Sequence, residues 1–253
     1  MLFRRHRAGM LAISQPTHAL ISGQLARAWV DPLCEPLLIA AEQHDLGWMD
    51  WETAPSFDRD TGRPHLFRDV GASLHAPMWA AGVERALGAW GSHTALLISR
   101  HGGVIYRRFS DRHRLDEADA MAARHYLETQ DPVERAWAQA LGFDEQRLES
   151  ESALIAFVDT LSLALCGELP APLELDAPRS DGSLQRSRLS ARPGRSFDFD
   201  LSPWPFRGTS LVVEGQARAL PEGERFADEA SMRRWLRSPD RVTFTARLTS
   251  VEH

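Results

Sequence analysis

The sequence predicts a mainly α-helical domain followed by a β-rich C-terminal segment, an α+β arrangement. Apolar residues recur at helical spacing through most of residues 1–167. The texture changes after Gly167, where several prolines mark a linker. Alternating apolar and polar residues then predict antiparallel strands at about 185–191, 196–201, 209–219 and 241–248. We therefore expect a helical domain over residues 1–167 and a β extension over 168–253 that packs on it.

Caps and apolar stripes predict the elements in order. A short edge strand at about 10–13 precedes a helix at about 17–29, capped by Thr17. A second helix at about 34–45 ends before Gly47, and the polar loop at 50–72 is long enough to act as a lid. Further helices are predicted at about 75–87, 92–100, 114–129, 132–141, 145–166 and 227–237, with Gly102-Gly103 ending the one at 92–100.

Composition narrows the class of protein. The net charge of −6 argues against a nucleic-acid binder, and no apolar run approaches the roughly 20 residues that cross a bilayer. The basic start is not followed by an apolar stretch with a cleavage site, so no signal peptide is predicted. Cys34 and Cys166 lie in apolar contexts and predict buried thiols in a reducing compartment, which favours the cytoplasm. All 29 basic residues are arginine, which excludes lysine-based covalent chemistry.

Six histidine and aspartate residues that could bind a metal are spread along the helical region. The adjacent pair His44-Asp45 offers an imidazole nitrogen and a carboxylate, and Asp159 lies inside an apolar run, where an acid is costly to bury unless it is paired or bound to a metal. The intervals between these residues are long enough for a helix and its return, so each ligand can come from a different wall of one bundle. The full set is His18, His44, Asp45, His75, His101 and Asp159.

This ordered set resembles the HD-domain superfamily of helical metalloenzymes, over about residues 10–166. The phrases His44 to Trp51 (HDxGWxxW), Ser99 to Gly102, Asp159 to Ser162 and Pro203 to Phe206 (PWPF) also resemble an uncharacterised bacterial family. The superfamily resemblance implies an HD-like helical bundle with two metal ions. His18, His44, Asp45 and Asp159 would hold one ion, and Asp45, His75 and His101 the other, with Asp45 as the bridge. Iron is the first expectation, with Mn, Mg and Zn as alternatives.

Substrate contacts are expected around this site from a small set of aromatic, histidine and arginine residues. Trp48 stands where many HD phosphohydrolases carry a phosphate-binding lysine, and guanidinium groups can replace that lysine. Trp48 and Trp51 are also explained by packing against neighbouring helices, and Pro203 to Phe206 by anchoring its segment on the bundle. The expected substrate-binding residues are Trp48, Trp51, His65, Arg68, Arg100 and Arg107.

Three functions follow from these expectations. The complete ligand set and the missing lysine favour an O2-dependent diiron oxygenase acting on a small polar molecule. The alternative within the superfamily is a metal-dependent phosphohydrolase or phosphodiesterase, in which the metals activate water and neutralise a phosphoryl group. A non-enzymatic metal-binding protein is the third. A small-molecule substrate is expected in the first two, and neither a nucleic acid nor a membrane is an expected partner.

Overall fold

The computed structural model describes residues 1–6, 9–110, 116–167, 169–195, 197–220, 223 and 225–251. Its helices agree with most of the predicted positions. They are α1 (Gln15–Arg27), α2 (Glu35–Gln43), α3 (Met49–Thr53), α4 (Ala72–Trp90), α5 (Ser92–Ser110), α6 (Glu117–Leu141), α7 (Glu145–Leu165) and α8 (Glu229–Arg237).

Strands come from both ends of the chain. They are β1 (Leu2–His6), β2 (Gly9–Ile13), β3 (Phe57–Asp58), β4 (Arg63–Pro64), β5 (Leu173–Pro178), β6 (Leu184–Ala191), β7 (Asp198–Ser202), β8 (Ser210–Leu220) and β9 (Val242–Ser250). Seven of them form one sheet in the order β1-β2-β8-β9-β7-β6-β5. Every neighbouring pair in that sheet is antiparallel except β7 and β9, which are parallel.

The prediction of a mainly α, HD-like bundle with a β appendage is wrong. Helix accounts for 52% of the residues and strand for 23%, and the large curled sheet makes this a mixed α/β fold. The N-terminal hairpin completes the sheet, because Met10 of β2 lies opposite Leu220 of β8. Helical periodicity within 1–167 could not reveal this pairing, since it depends on residues at the two ends of the chain. The division at 167/168 stays a prediction, although the sheet takes strands from both sides of it.

Helix α1 joins the sheet to the helical layer. It contacts β8, α2 and α7, and Ile21 and Leu25 on its inner face are fully buried. Gly215 of β8 permits the close approach, because a Cβ there would lie 3.1 Å from Cγ2 of Thr17 and 2.8 Å from the Phe244 ring. The ligand-type residues of α1 and α7 are therefore held between the sheet and the remaining helices.

Helix α5 does not end at Gly102-Gly103 but continues to Ser110. Added at Gly102, a Cβ would lie 2.8 Å from Nε1 of Trp79 and 2.9 Å from the Tyr126 hydroxyl. The glycine therefore permits close packing of α5 against α4 and α6 and does not act as a helix stop. Two helices predicted on either side of Pro132 are one helix, α6, and the predicted linker contains β5.

Cysteine burial was predicted correctly at one of two positions. Cys166 is buried, whereas Cys34 is exposed, because it precedes the first turn of α2 and is not part of its apolar face. None of the described helices is both long and apolar enough to cross a membrane.

The Pro203 to Phe206 segment packs on α1's C-terminal end, where Val30 donates its backbone N–H to Pro205 O at 3.0 Å and Trp29 meets Phe206 edge to face.

Candidate metal centre

His44 is placed at the end of α2 with one ring nitrogen committed. Its Nδ1 lies 2.9 Å from the Ala41 carbonyl oxygen, and a carbonyl only accepts, so Nδ1 carries the proton. Nε2 then points into the protein, where it is buried and has no hydrogen-bond partner among the described residues. It lies 3.3 Å from Oδ1 of Asp159, within ion-pair distance but without hydrogen-bond geometry.

His18 reaches the same point from α1. Ser162 donates its hydroxyl to the Asp159 carbonyl oxygen, so at 2.6 Å it accepts from Nδ1 of His18. Nε2 of His18 is directed at Asp45, 2.7 Å from Oδ2, and lies 3.6 Å from Oδ1 of Asp159. A nitrogen and a carboxylate oxygen this close need a proton or a cation between them.

Asp159 lies between three histidines. Its Oδ1 faces His18 and His44, and its Oδ2 is 3.6 Å from Nε2 of His101. His101 comes from the middle of α5, and its ring meets the His44 ring edge to face at 5.0 Å. Asp159 therefore has imidazole partners from α1, α2 and α5, which explains how its carboxylate is accommodated within an apolar helix.

The ionisation of these groups reflects burial set against neighbouring charge. Burial tends to lower the pKa of His44, but Asp45 and Asp159 outweigh it and raise that pKa to about 9. Burial dominates at His101 and lowers its pKa to about 4, despite the nearby Asp159 carboxylate. Burial opposes ionisation of Asp159 as well, yet the close approach of His44 at 3.3 Å and the charge of the surrounding histidines hold its pKa well below the usual range. At neutral pH and without a metal, the ionised carboxylate of Asp159 thus lies between a protonated His44 and a neutral His101.

Three of these residues converge closely enough to share an ion. Ligand atoms of His18, His44 and Asp159 all lie within 4.8 Å of one another. Asp45 contacts this group from one side, with Oδ2 at 3.8 Å from Nε2 of His44, and His101 contacts it through Asp159. Imidazole and carboxylate ligands in this proportion suit several divalent metals.

His75 lies apart from the convergent group. Its Nδ1 is 2.7 Å from the Tyr106 hydroxyl, and the two rings stack at 5.3 Å. On its other side the Trp48 ring lies 5.9 Å away. The pKa of His75 is lowered to about 4, mainly by burial.

The predicted substrate residues are not gathered in one place. Trp48 and Trp51 are buried and pack with Val70, which agrees with a packing role. His65 has a buried Nδ1 without a hydrogen-bond partner among the described residues, and Arg68 is exposed in a short 3-10 turn. Arg100 and Arg107 line a cavity of about 420 Å³ with Glu134, and none of the six candidate ligands is among its lining residues.

Sequence reasoning missed the groups that orient the ligands. Ser162 holds His18, and Ser22 donates to Ser162 at 2.9 Å. Trp79 packs against His101 at 5.8 Å between ring centroids while its indole donates to Ile98 O. The spacing of Asp159 and Ser162, one turn apart on a helix, was the available signal for the serine.

Comparison with known proteins identifies a family but not an activity. Residues 1–222 match a family model described as "Protein of unknown function (DUF3891)". Because the match covers most of the chain, the protein belongs to that family. The HD-domain assignment is wrong, since the family match is to DUF3891 and the architecture includes a curled seven-stranded sheet. No significant match is found to a curated protein or to a solved structure.

Proposed function

We propose that this DUF3891 protein is a metal-dependent enzyme that oxidises a small polar substrate with O2. One metal ion would be held by His18, His44 and Asp159. The observation that carries the proposal is the buried Nε2 of His44, which lacks a hydrogen-bond partner among the described residues and faces Oδ1 of Asp159 at 3.3 Å. Two histidines and one carboxylate are the ligands typical of non-haem Fe(II) oxygenases.

The geometry fits a metal of this kind. Bonds of about 2.0–2.2 Å place neighbouring ligand atoms roughly 3.0–3.5 Å apart, and Oδ1 of Asp159 lies 3.3 Å from His44 and 3.6 Å from His18. Both histidines have Nδ1 held by an oxygen acceptor. Such contacts fix the tautomer that leaves Nε2 to bind a metal. Bound there, iron(II) would supply open coordination positions for O2 and substrate.

The surrounding residues would tune this centre. Asp45 is buried and lies 2.7 Å from Nε2 of His18, so it contacts the ring nitrogen that would bind the metal. His101 faces the second oxygen of Asp159 and can keep that carboxylate in one orientation. Trp79 packs against the His101 ring, which helps to hold that ring in place.

The proposal is limited to one ion. A second ion bridged by Asp45 would need His75, and Nδ1 of His75 is engaged with the Tyr106 hydroxyl at 2.7 Å. The two-ion expectation therefore depends on the other ring nitrogen of His75, whereas the ligand atoms that converge within 4.8 Å are those of His18, His44 and Asp159.

Metal-dependent hydrolysis is the second candidate, and Asp45 is the residue that favours it. A buried carboxylate beside the ligand group can accept the proton of a water nucleophile. Phosphate esters are the less favoured substrates, because Arg100 and Arg107 line a different cavity.

The test compares metal content and O2 consumption. The full chain would be purified without air, loaded with Fe(II), and analysed for iron, manganese and zinc. We expect about one iron per chain, most of it lost in His44→Ala and retained in the matched control His125→Ala, whose side chain is exposed. Equal iron content in the two variants would overturn the metal site. Two results together would overturn the oxygenase and support the second candidate. These are metal-dependent hydrolysis of a substrate in the absence of air, and no O2 uptake when the same protein and substrate are mixed in air.

A further inference from the structure

A second group of metal-ligand side chains lies outside the centre described above. Ligand atoms of Cys34, His93 and Glu151 all lie within 4.8 Å of one another. They come from three mutually packed helical segments: Cys34 immediately precedes α2, His93 lies in the first turn of α5, and Glu151 lies in α7. Thiolate, imidazole and carboxylate together are a ligand set that Zn²⁺ accepts.

The two centres are built on the same helices in two layers. His93 precedes His101 by eight residues on α5, and Glu151 precedes Asp159 by eight residues on α7. Eight helical residues rise by about 12 Å and end roughly 80° around the helix from where they began. Cys34 and His44 lie at opposite ends of α2. The second group is therefore displaced from the first by about 12 Å along these helices, towards their N-terminal ends.

His93 and Glu151 are already oriented towards one another. Nε2 of His93 lies 2.6 Å from Oε2 of Glu151, and both side chains are about nine-tenths buried. Arg147 donates Nε to the other oxygen of Glu151 at 2.9 Å, and the His93 ring lies edge-on to Phe143. Burial tends to raise the pKa of Glu151, but the hydrogen bonds from His93 and Arg147 outweigh it, so the pKa is lowered and the carboxylate is ionised.

An open cavity adjoins this group. Its volume is about 450 Å³, and Cys34, Glu151, Arg147, Asp31, Leu37 and Arg179 are among its lining residues. Metal sites with three protein ligands keep a further position open for water or substrate, whereas purely structural zinc sites are closed by a fourth protein ligand. Cys34, His93 and Glu151 supply three ligands beside a cavity, so they resemble a metal site that keeps one position open.

We propose that Cys34, His93 and Glu151 bind one thiophilic divalent cation, Zn²⁺, with an open position facing the cavity. Tetrahedral zinc places its ligand atoms roughly 3.3–3.7 Å apart. The contact of 2.6 Å between His93 and Glu151 must therefore widen by about 1 Å or less as the ion enters. As the ion binds Nε2 of His93, the proton of that nitrogen is exchanged through solvent to Nδ1, and the thiol proton of Cys34 is released to solvent.

Co²⁺ is the first probe, because thiolate ligation gives it a charge-transfer absorption in the near ultraviolet. Titration of the full chain should produce this band with a final intensity that corresponds to about one thiolate-bound Co²⁺ per chain. The band should be absent in Cys34→Ala, and Co²⁺ affinity should fall at least about tenfold in His93→Ala and Glu151→Gln. The charge-transfer band should persist in His44→Ala, which alters only the first centre, and in the exposed-histidine control His125→Ala. Absence of the band in the wild type, or its survival in Cys34→Ala, overturns the proposal.

Zn²⁺ protection of the thiol is the second measurement. Zn²⁺ should slow alkylation of Cys34 at least about tenfold in the wild type, and this protection should be lost in His93→Ala. Cys34 is exposed, so its substitution should leave the thermal unfolding midpoint unchanged. Equal protection in the wild type and in His93→Ala would mean that the thiol alone binds zinc, which overturns the three-ligand site.

Discussion

Nε2 of His18 lies 2.7 Å from Oδ2 of Asp45, although the two residues are 27 positions apart in the chain. The contact joins α1 to the short segment just after α2, and both side chains are almost completely buried. On the other side of the ring, Ser162 of α7 accepts from Nδ1. One imidazole thus connects three segments, and its position depends on all three being packed correctly.

Removing the serine should weaken this arrangement. In Ser162→Ala, Nδ1 of His18 loses its acceptor within the protein, and an unsatisfied buried N–H costs about 1–3 kcal/mol. We expect the free energy of unfolding to fall by about that amount and metal affinity to fall roughly 10- to 100-fold. Urea denaturation and metal titration measure the two effects. Thr160→Ala is the control, because Thr160 only donates to Ala156 O on its own helix; an equal loss in both variants would contradict the role of Ser162.

A methyl group at Gly102 should destabilise the helical layer. In Gly102→Ala the new Cβ would lie 2.8 Å from Trp79 Nε1 and 2.9 Å from the Tyr126 hydroxyl, and such overpacking costs about 1–3 kcal/mol. The matched control is Gly88→Ala in α4, where a Cβ meets nothing within 4 Å. That change should stabilise the protein by about 0.5–1 kcal/mol, since alanine favours helix. Chemical denaturation would show opposite signs for the two variants; the same sign would contradict the packing described for Gly102.

The two thiols should react at very different rates in protein free of metal. Cys34 is exposed and Cys166 is buried, and burial raises the pKa of the Cys166 thiol to about 12. A thiol reagent at pH 8 should therefore modify one cysteine quickly and the second only in denaturant. Cys34→Ala should remove the fast phase and leave the slow one. A fast phase that survives in this variant would contradict the burial of Cys166.

Acidification should destabilise the fold through His75. Burial, the largest effect, lowers its pKa from 6.5 to about 4, against the attraction of Asp119 and Asp45. The unfolded chain thus binds more protons than the native state between these values, so stability falls as the pH drops from 6.5 towards 4. From pH 7 to pH 5 we expect the loss in His75→Gln to be smaller than in wild type by on the order of 1 kcal/mol. Urea unfolding at both pH values measures this; identical losses would exclude His75 as a source.

Local chemistry along the chain accounts for much of what could be predicted. Caps and apolar spacing placed most helices, as in α7, which begins after Asp144 and ends at Leu165. Asp159 was recognisable as a special residue because a carboxylate within an apolar helix requires a partner. Alternation likewise predicted β6 to β9, in which successive side chains point to opposite faces. These features depend on neighbours within a few residues, which a sequence displays directly.

The amino-acid sequence by itself determined most of the helical segments and the later strands. It also determined that a set of histidines and aspartates is present. Only the tertiary structure decided that β1 and β2 complete the sheet beside β8, that His18, His44 and Asp159 converge, and that His75 turns to Tyr106. It also placed Arg100 and Arg107 on a separate cavity. The physical reason is that strand pairing, ring orientation and ligand convergence are set by contacts between distant parts of the chain. Local periodicity carries no information about which of those contacts form.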